Sequence, residues 1–314
     1  MNTPDPLSTP QIAILLATFD GQHFLAEQLD SFTTQSYPHW KVWASDDGST
    51  DGTLDILTHY QTQWNNDRLS VYTGPAKGST ANFLALTCHS HIQADYYAYA
   101  DQDDIWEQDK LARAVTWLKT CPSDTPALYC SRTRLVDANN QEIGLSPLFT
   151  RPPHFANAMV QNIAGGNTMV FNHAARERLC MAGQDIPVVM HDWWVYLVVT
   201  GCGGHVFYDP TPTVRYRQHN NNLIGENSSY LARLTRLGML LDGRFRKWNE
   251  RNIQAWKPIH SYLTPENRYI LDTFTLARQR GLLSRIVGIK RSGIYRQTLL
   301  GNLGLAAATL LKKL

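Results

Sequence analysis

The sequence predicts an α/β fold: a mainly parallel central sheet flanked by helices, with a helical C-terminal extension. Three observations carry this. Ile12 to Thr18 and Tyr96 to Ala100 are unbroken apolar runs, the pattern of strands buried on both faces. Segments with apolar residues at helical spacing, such as Phe24, Leu25, Gln28, Leu29 and Phe32, lie between such runs. The two kinds of segment alternate from Ile12 to Lys119, and a strand–helix–strand alternation builds a parallel sheet through right-handed crossovers.

Each element follows from local pattern. The first strand meets the breaker Asp20-Gly21 before its helix. Lys41 to Ser45 forms the second strand and runs into Asp46-Asp47-Gly48-Ser49-Thr50-Asp51. A helix over 53–64 buries Leu54, Leu57 and Tyr60, and a third strand, Leu69 to Tyr72, ends at the Gly74-Pro75 turn. Helices are expected over 81–91 and 108–119, on either side of the Tyr96 to Ala100 strand. Beyond this the pattern loosens. Strands are expected over 127–131, 167–171, 205–208 and 213–216, helices over 173–181 and 192–202, and a loop over Pro147 to Pro153. From Ser229 the spacing is helical to the end, which divides the chain into 1–228 and 229–314.

Charge is distributed unevenly. No acidic residue follows Asp272, whereas Arg278, Arg280, Arg285, Lys290, Arg291, Arg296, Lys312 and Lys313 do. Of 29 basic and 27 acidic residues, the remainder keeps 21 basic, a balance of −6. A slightly acidic body with a basic tail suggests two different partners, neither of them expected to be a nucleic acid, and the basic, leucine-rich end suits an anionic membrane surface or a helical packing role. Five cysteines without paired spacing suggest reduced thiols in a cytosolic setting. No signal peptide and no apolar run long enough to span a bilayer are evident.

The stretch Asp95 to Trp106 concentrates the chemistry. A buried strand there ends in Asp101, Asp103 and Asp104. Crowded carboxylates at the carboxyl end of a strand invite a hard divalent cation such as Mg2+ or Mn2+, which takes oxygen ligands. A solvated turn before a helix N-terminus explains them equally well. Asp46, where the second strand ends, can accept from a nucleobase or ribose, although D-G-S-T-D is also good turn chemistry. Asp192, in H-D-W-W, opens an apolar helix; it reads as a cap or, between His191 and two tryptophans, as a general base with a raised pKa. His219, after Arg217, can ligate a metal or lie in a surface loop. The chain contains no G-x-G-x-x-G, Walker or G-x-S-x-G motif, which counts against dinucleotide, P-loop and serine-hydrolase classes.

Taken in order, A-T-F-D-G, D-D-G-S-T-D-G-T, A-D-Q-D-D-I-W, G-G-N-T-M-V-F, H-D-W-W and Y-R-Q-H-N-N-N closely resemble the family 2 glycosyltransferases, inverting enzymes of the GT-A fold. Within them the chain looks most like the rhamnosyltransferase-like branch of bacterial surface-polysaccharide synthesis. The resemblance spans Ile12 to Gly225. It implies that Thr18, Asp46, Asn82, Asp101 and Arg217 surround a nucleoside-diphosphate sugar, dTDP- or UDP-linked. It further implies that Asp103 and His219 hold the metal and that Asp192 is the base. Trp106, Gly166, Asn167 and Trp193 would lie toward a saccharide or lipid-linked acceptor. His191 stands where most relatives carry Glu, and Phe19-Asp20 where the usual pair is Tyr-Asn. The expected location is cytoplasmic, peripheral to the inner face of the cell membrane. A nucleotidyltransferase and a non-catalytic glycan-binding scaffold are the competing readings; the former lacks its glycine-rich basic loop here.

Overall fold

The structure, a computed structural model, describes residues 9–218 and 243–314. One sheet holds nine strands in the order β3-β2-β1-β4-β8-β6-β9-β5, with β7 paired to β6. The amino-terminal half is as the sequence predicts. Strands β1 (Ile12–Thr18), β2 (Trp40–Asp46), β3 (Leu69–Thr73) and β4 (Tyr96–Asp101) are joined through helices α1 (Leu25–Thr33), α2 (Thr53–Gln63) and α3 (Ser79–Cys88). All three pairings among these strands are parallel. Strand β1 runs between β2 and β4, so the chain winds outward one way through β3 and then resumes on the other side at β4. Such a reversal opens a crevice at the carboxyl ends of β1 and β4.

The carboxyl-terminal half mixes directions. β8 (Val170–Asn172) enters antiparallel to both β4 and β6 (Ala127–Val136), and β7 (Glu142–Leu145), which the sequence did not signal, is antiparallel to β6. Antiparallel pairing is thus added to a sheet that stays mainly parallel, as expected. The two strands expected over 205–216 are one, β9 (His205–Arg217), parallel to β6 and interrupted by a register shift opposite Arg132. Asp209-Pro210-Thr211-Pro212 absorbs this shift, because proline cannot donate to the ladder. β5 (Ile105–Trp106) pairs with β9, which returns the chain from the sheet edge to the carboxylate stretch. The strand expected over 167–171 begins instead as a 3-10 turn at Gly166–Thr168. Helix α3 stops at Cys88, so His89-Ser90-His91 follows it rather than riding on it.

Helices α4 (Lys110–Leu118), α5 (Phe155–Ala158), α6 (His173–Ala182) and α7 (His191–Gly201) complete the body. Every residue of α7 is buried. The extension that follows, α8 (Arg244–Ala255), a 3-10 segment Lys257–Tyr262, α9 (Pro265–Gln279), α10 (Leu282–Arg291) and α11 (Leu299–Leu310), shares the core of the body. Trp256 lies edge-on to Trp194 at 5.2 Å and to Phe155 at 5.6 Å. Asn267 Nδ2 donates to the carbonyls of Thr200 and Gly201, capping the last turn of α7. The expected division after residue 228 falls outside the described residues.

Candidate active site

The crevice at the switch point is lined by turns that hold one another. Asp46 accepts from Thr18 Oγ1 at 2.9 Å and Ser49 Oγ on Oδ1, and from the Gly48 and Ser49 N–H groups on Oδ2. Gly48 supplies the turn with its φ of 100°, a value side chains rarely adopt. These four donors fill the acceptor positions of the carboxylate, so a base would bind Asp46 by replacing one of them. Asn82, expected in the same pocket, is buried and clasps Ser45 through its amide and carbonyl. Two neighbours that the sequence reading passed over complete the wall. Asp47 takes the Ala76 and Gly78 N–H groups at 2.7 Å each, fixing the loop after β3. Gln102 bonds both N–H and C=O of Phe19, leaving that ring 56% exposed at the mouth of β1. Strand-end position was their only sequence signal.

The three carboxylates part company in the fold. Asp101 ends β4 opposite Ala17 of β1, and Asp101 and Asp103 are partly accessible. Asp104 is fully buried: Oδ2 accepts from Asn167 Nδ2 at 2.6 Å and Oδ1 from the Arg217 N–H at 3.3 Å. Beside it the buried Lys110 ammonium lies 3.6 Å from the Trp106 ring centroid and donates to the Asn167 carbonyl at 3.0 Å. Burial, then the charges of Asp103 and Asp192, push the Asp101 carboxyl up to about 7, against the pull of Lys110. Burial and the charges of Asp103 and Asp101 raise Asp104 well above its ordinary value. Lys110 falls to about 7 because burial outweighs Asp104 and Asp101.

Asp192 stands in the first turn of α7, where the exposed N–H groups of a helix favour an anion. Oδ1 accepts from the Trp193 N–H at 2.6 Å and Oδ2 from the Gly166 N–H at 3.2 Å. Burial nevertheless pushes its carboxyl up to about 6. His191 stacks on Phe83 at 4.0 Å, and burial drives its imidazole down to about 3, so it places no charge beside Asp192. Gly166 is obligatory here: a Cβ would stand 2.8 Å from His191 Nε2 and 3.2 Å from Asp192 Cβ. The Gly166-Asn167 pair therefore bridges the site, with its backbone on Asp192 and its amide side chain on Asp104.

Three expectations are corrected. Trp106 is a core residue packed on Phe32, 4.6 Å between centroids, and beneath Lys110; it offers no face to an acceptor. Trp193 is likewise buried, donating from Nε1 to the Ala158 carbonyl and meeting Trp248 edge-on. Arg217 is buried, with its guanidinium on Glu27, the Ala138 and Asp103 carbonyls and the Phe24 ring. It braces the carboxylate loop from behind and is not free for a diphosphate. His219 lies outside the described residues, and among the described residues no three His, Cys, Asp or Glu side chains stand together as a ligand set.

A parallel βα half with its crevice at the switch point, carboxylates at the end of β4 and a buried carboxylate across from them define a glycosyltransferase of the GT-A type. The profile of glycosyl transferase family 2 matches residues 13–179, more than half of the chain, and the chain belongs to that family. It is 28% identical over 244 residues to the dTDP-rhamnosyl transferase RfbG of Shigella flexneri, covering 74% of this chain and 81% of that protein. Among solved structures it is similar in fold to S. aureus TarS 1-349 with UDP-GlcNAc, at TM-score 0.51 and 15% identity over 91% of this chain and 93% of that one. It is also similar to the mannosyltransferase PcManGT of Pyrobaculum calidifontis with GDP-Man and Mn2+, at TM-score 0.51 and 16% identity over 99% and 86%. Family membership decides against a nucleotidyltransferase. No helix among the described residues is long and apolar enough to cross a membrane.

Proposed function

We propose that this glycosyltransferase inverts the anomeric carbon of a nucleoside-diphosphate sugar, with Asp192 as general base and Asp101 and Asp103 at the donor diphosphate. The observation that carries the reading is geometric: the Gly166 N–H bonds Asp192 while the neighbouring Asn167 amide bonds Asp104, so the base and the donor-side carboxylate stretch are joined by one pair of residues. A carboxyl raised to about 6 is ionised at neutral pH yet more basic than an exposed aspartate. Asp192 takes the proton of the acceptor hydroxyl as its oxygen bonds to the anomeric carbon and the carbon–phosphate oxygen bond breaks on the opposite face. The Trp193 and Gly166 N–H groups hold the carboxylate in line, and the Gly166-Asn167 bridge fixes its distance from the donor side.

A divalent cation fits the donor side. Asp101 and Asp103 are partly accessible, and the charge of Asp103 makes Asp101 costlier to ionise, so the two offer oxygen donors that a cation would stabilise. Asp103 would hold the ion, Mg2+ or Mn2+, with His219 as its further ligand, and the ion would offset charge developing on the departing diphosphate. The Mn2+ in PcManGT supports this. Similarity to the dTDP-rhamnosyl transferase RfbG supports a dTDP-linked rhamnose as the donor, and the proposed product is a bacterial surface polysaccharide, built on a saccharide or lipid-linked acceptor. The same reading places the enzyme in the cytoplasm, peripheral to the inner face of the cell membrane where a lipid-linked acceptor is presented.

The test is a panel of dTDP-, UDP- and GDP-sugars, each with Mn2+ or Mg2+, read by melting temperature and by slow release of nucleoside diphosphate. A donor that binds the folded state raises Tm by mass action. Stabilisation and nucleoside diphosphate release with dTDP-rhamnose are expected. Release of pyrophosphate, or neither response with any sugar nucleotide, refutes the reading.

A further inference from the structure

Helices α10 and α11 both turn apolar side chains outward. On α10, Leu282, Leu283, Ile286 and Val287 are exposed, while Arg285, Ile289 and then Ser292 are buried. On α11, Leu299, Leu300, Leu303 and Leu310 are exposed, while Leu305, Ala308 and Thr309 are buried. The extent is unusual: Leu283 is 80% exposed, Leu299 79% and Leu300 65%. With Leu311, nine of the 19 exposed large apolar side chains among the described residues fall between 282 and 311. Patches of this kind mark a surface that binds something.

The inward faces explain why the helices sit this way. The Arg285 guanidinium donates from Nε to the Thr309 carbonyl at 2.7 Å and from Nη2 to the Leu310 carbonyl at 3.2 Å, tying α10 to the end of α11. Gly288 lets α10 approach α9 so closely that a Cβ would meet that of Ala277 at 2.6 Å. A charged anchor and a glycine contact thus fix the inner side, and leucines are left for the outer one. Exposed Arg280, Lys290, Arg291 and Lys312 border the leucines, and no acidic residue follows Asp272.

We infer that the α10–α11 face is a membrane-docking surface for anionic phospholipid, with the leucines entering the headgroup–acyl boundary and the basic residues pairing with lipid phosphates. Charge selects the occupant. A second copy packed through the same face would bring its own cations against these and no carboxylate from its own 273–314 segment, whereas an acidic bilayer complements both features. Helices of ten and twelve residues cannot span a bilayer, so they lie along it. The inference gives the proposed membrane location a surface and a lipid chemistry, and it rests on the tail geometry rather than on the transferase reading.

Sedimentation of the full chain with phosphatidylcholine vesicles, with and without phosphatidylglycerol, tests it in the absence of any sugar nucleotide. At low salt, binding should be at least about tenfold greater with phosphatidylglycerol and should fall as salt rises. The triple substitution Leu283→Glu, Leu299→Glu and Leu300→Glu, all at exposed positions, should remove that binding while melting temperature and nucleoside diphosphate release stay at wild-type values. Lys290→Glu with Arg291→Glu should bring binding down to the level on neutral vesicles. Binding indifferent to the triple substitution or to lipid charge overturns the inference, as does a dimer in gel filtration that the triple variant dissolves. Vesicle binding without transferase activity, or the reverse, separates the fate of this inference from that of the proposed reaction.

Discussion

Replacing Asp192 by asparagine keeps the shape of the side chain and removes its basicity. The structure sets the scale of two opposing effects on stability. Asp192 accepts one backbone N–H on each oxygen, and an amide has only one oxygen to offer. One N–H therefore loses its partner, at a cost of about 1 to 3 kcal/mol. Against this, a carboxyl raised from 3.8 to about 6 is ionised at a cost of about 3 kcal/mol, which the neutral amide avoids. A group whose pKa rises on folding favours the folded state below that pKa and loses the advantage as pH rises through it. The wild-type protein should therefore give up stability between about pH 4 and 6 that the variant does not, and near pH 8 the two should melt within a few degrees of each other. Turnover should fall by about 10²–10⁴, or about 3 to 5 kcal/mol in the barrier, with donor affinity unchanged. Wild-type kcat should itself decline as acid protonates Asp192 through about pH 6. The assays are nucleoside diphosphate release, donor titration calorimetry and melting curves over pH. A variant within tenfold of wild-type kcat refutes Asp192 as the base, and lost donor binding reassigns it to holding the Gly166 loop.

Three further outcomes follow from the same geometry. Asp103→Ala should abolish Mn2+-dependent donor binding, and calorimetry showing the same metal dependence removes Asp103 from the metal site. Gly166→Ala inserts a Cβ 2.8 Å from His191 Nε2 and should cut kcat at least about tenfold in a folded protein, because Asp192 must shift; normal kinetics would show that the loop yields freely. Lys110→Met removes the donor to the buried Asn167 carbonyl and should cost about 1 to 3 kcal/mol; a denaturant midpoint equal to that of wild type would refute it.

How far the sequence discloses this molecule depends on the range of the interactions involved. The β1–α4 half is legible because strands buried on both faces read as continuous apolar runs, and Gly or Asp punctuates each end. β9 reads as two strands because Asp209-Pro210-Thr211-Pro212 carries a loop composition; only its partner β6 shows that the ladder resumes beyond it. Residue pattern marks Asp101, Asp103 and Asp104 as a group and only the family resemblance sorts them, since the partner of Asp104 is Asn167, sixty-three positions away. The tryptophans mislead for a related reason. An indole suits a sugar platform and a core equally, and Trp106 and Trp193 differ from a platform only through Lys110 above one and Ala158 beside the other. Arg217 is similar: a guanidinium near acidic loops reads as a phosphate ligand until Glu27, on α1, claims it.

The way the extension grips α7 bears on how such enzymes can be recombined. Trp256 occupies the space a side chain at Gly201 would need, 2.4 Å from an added Cβ, and Asn267 closes the same helix end. The tail is thus the far abutment of the rod whose near tip bears Asp192. A chimera that exchanges tails between relatives must carry the Thr200-Gly201 end of that rod with the graft; otherwise an altered anchor at one end is felt as a displaced Asp192 carboxylate at the other.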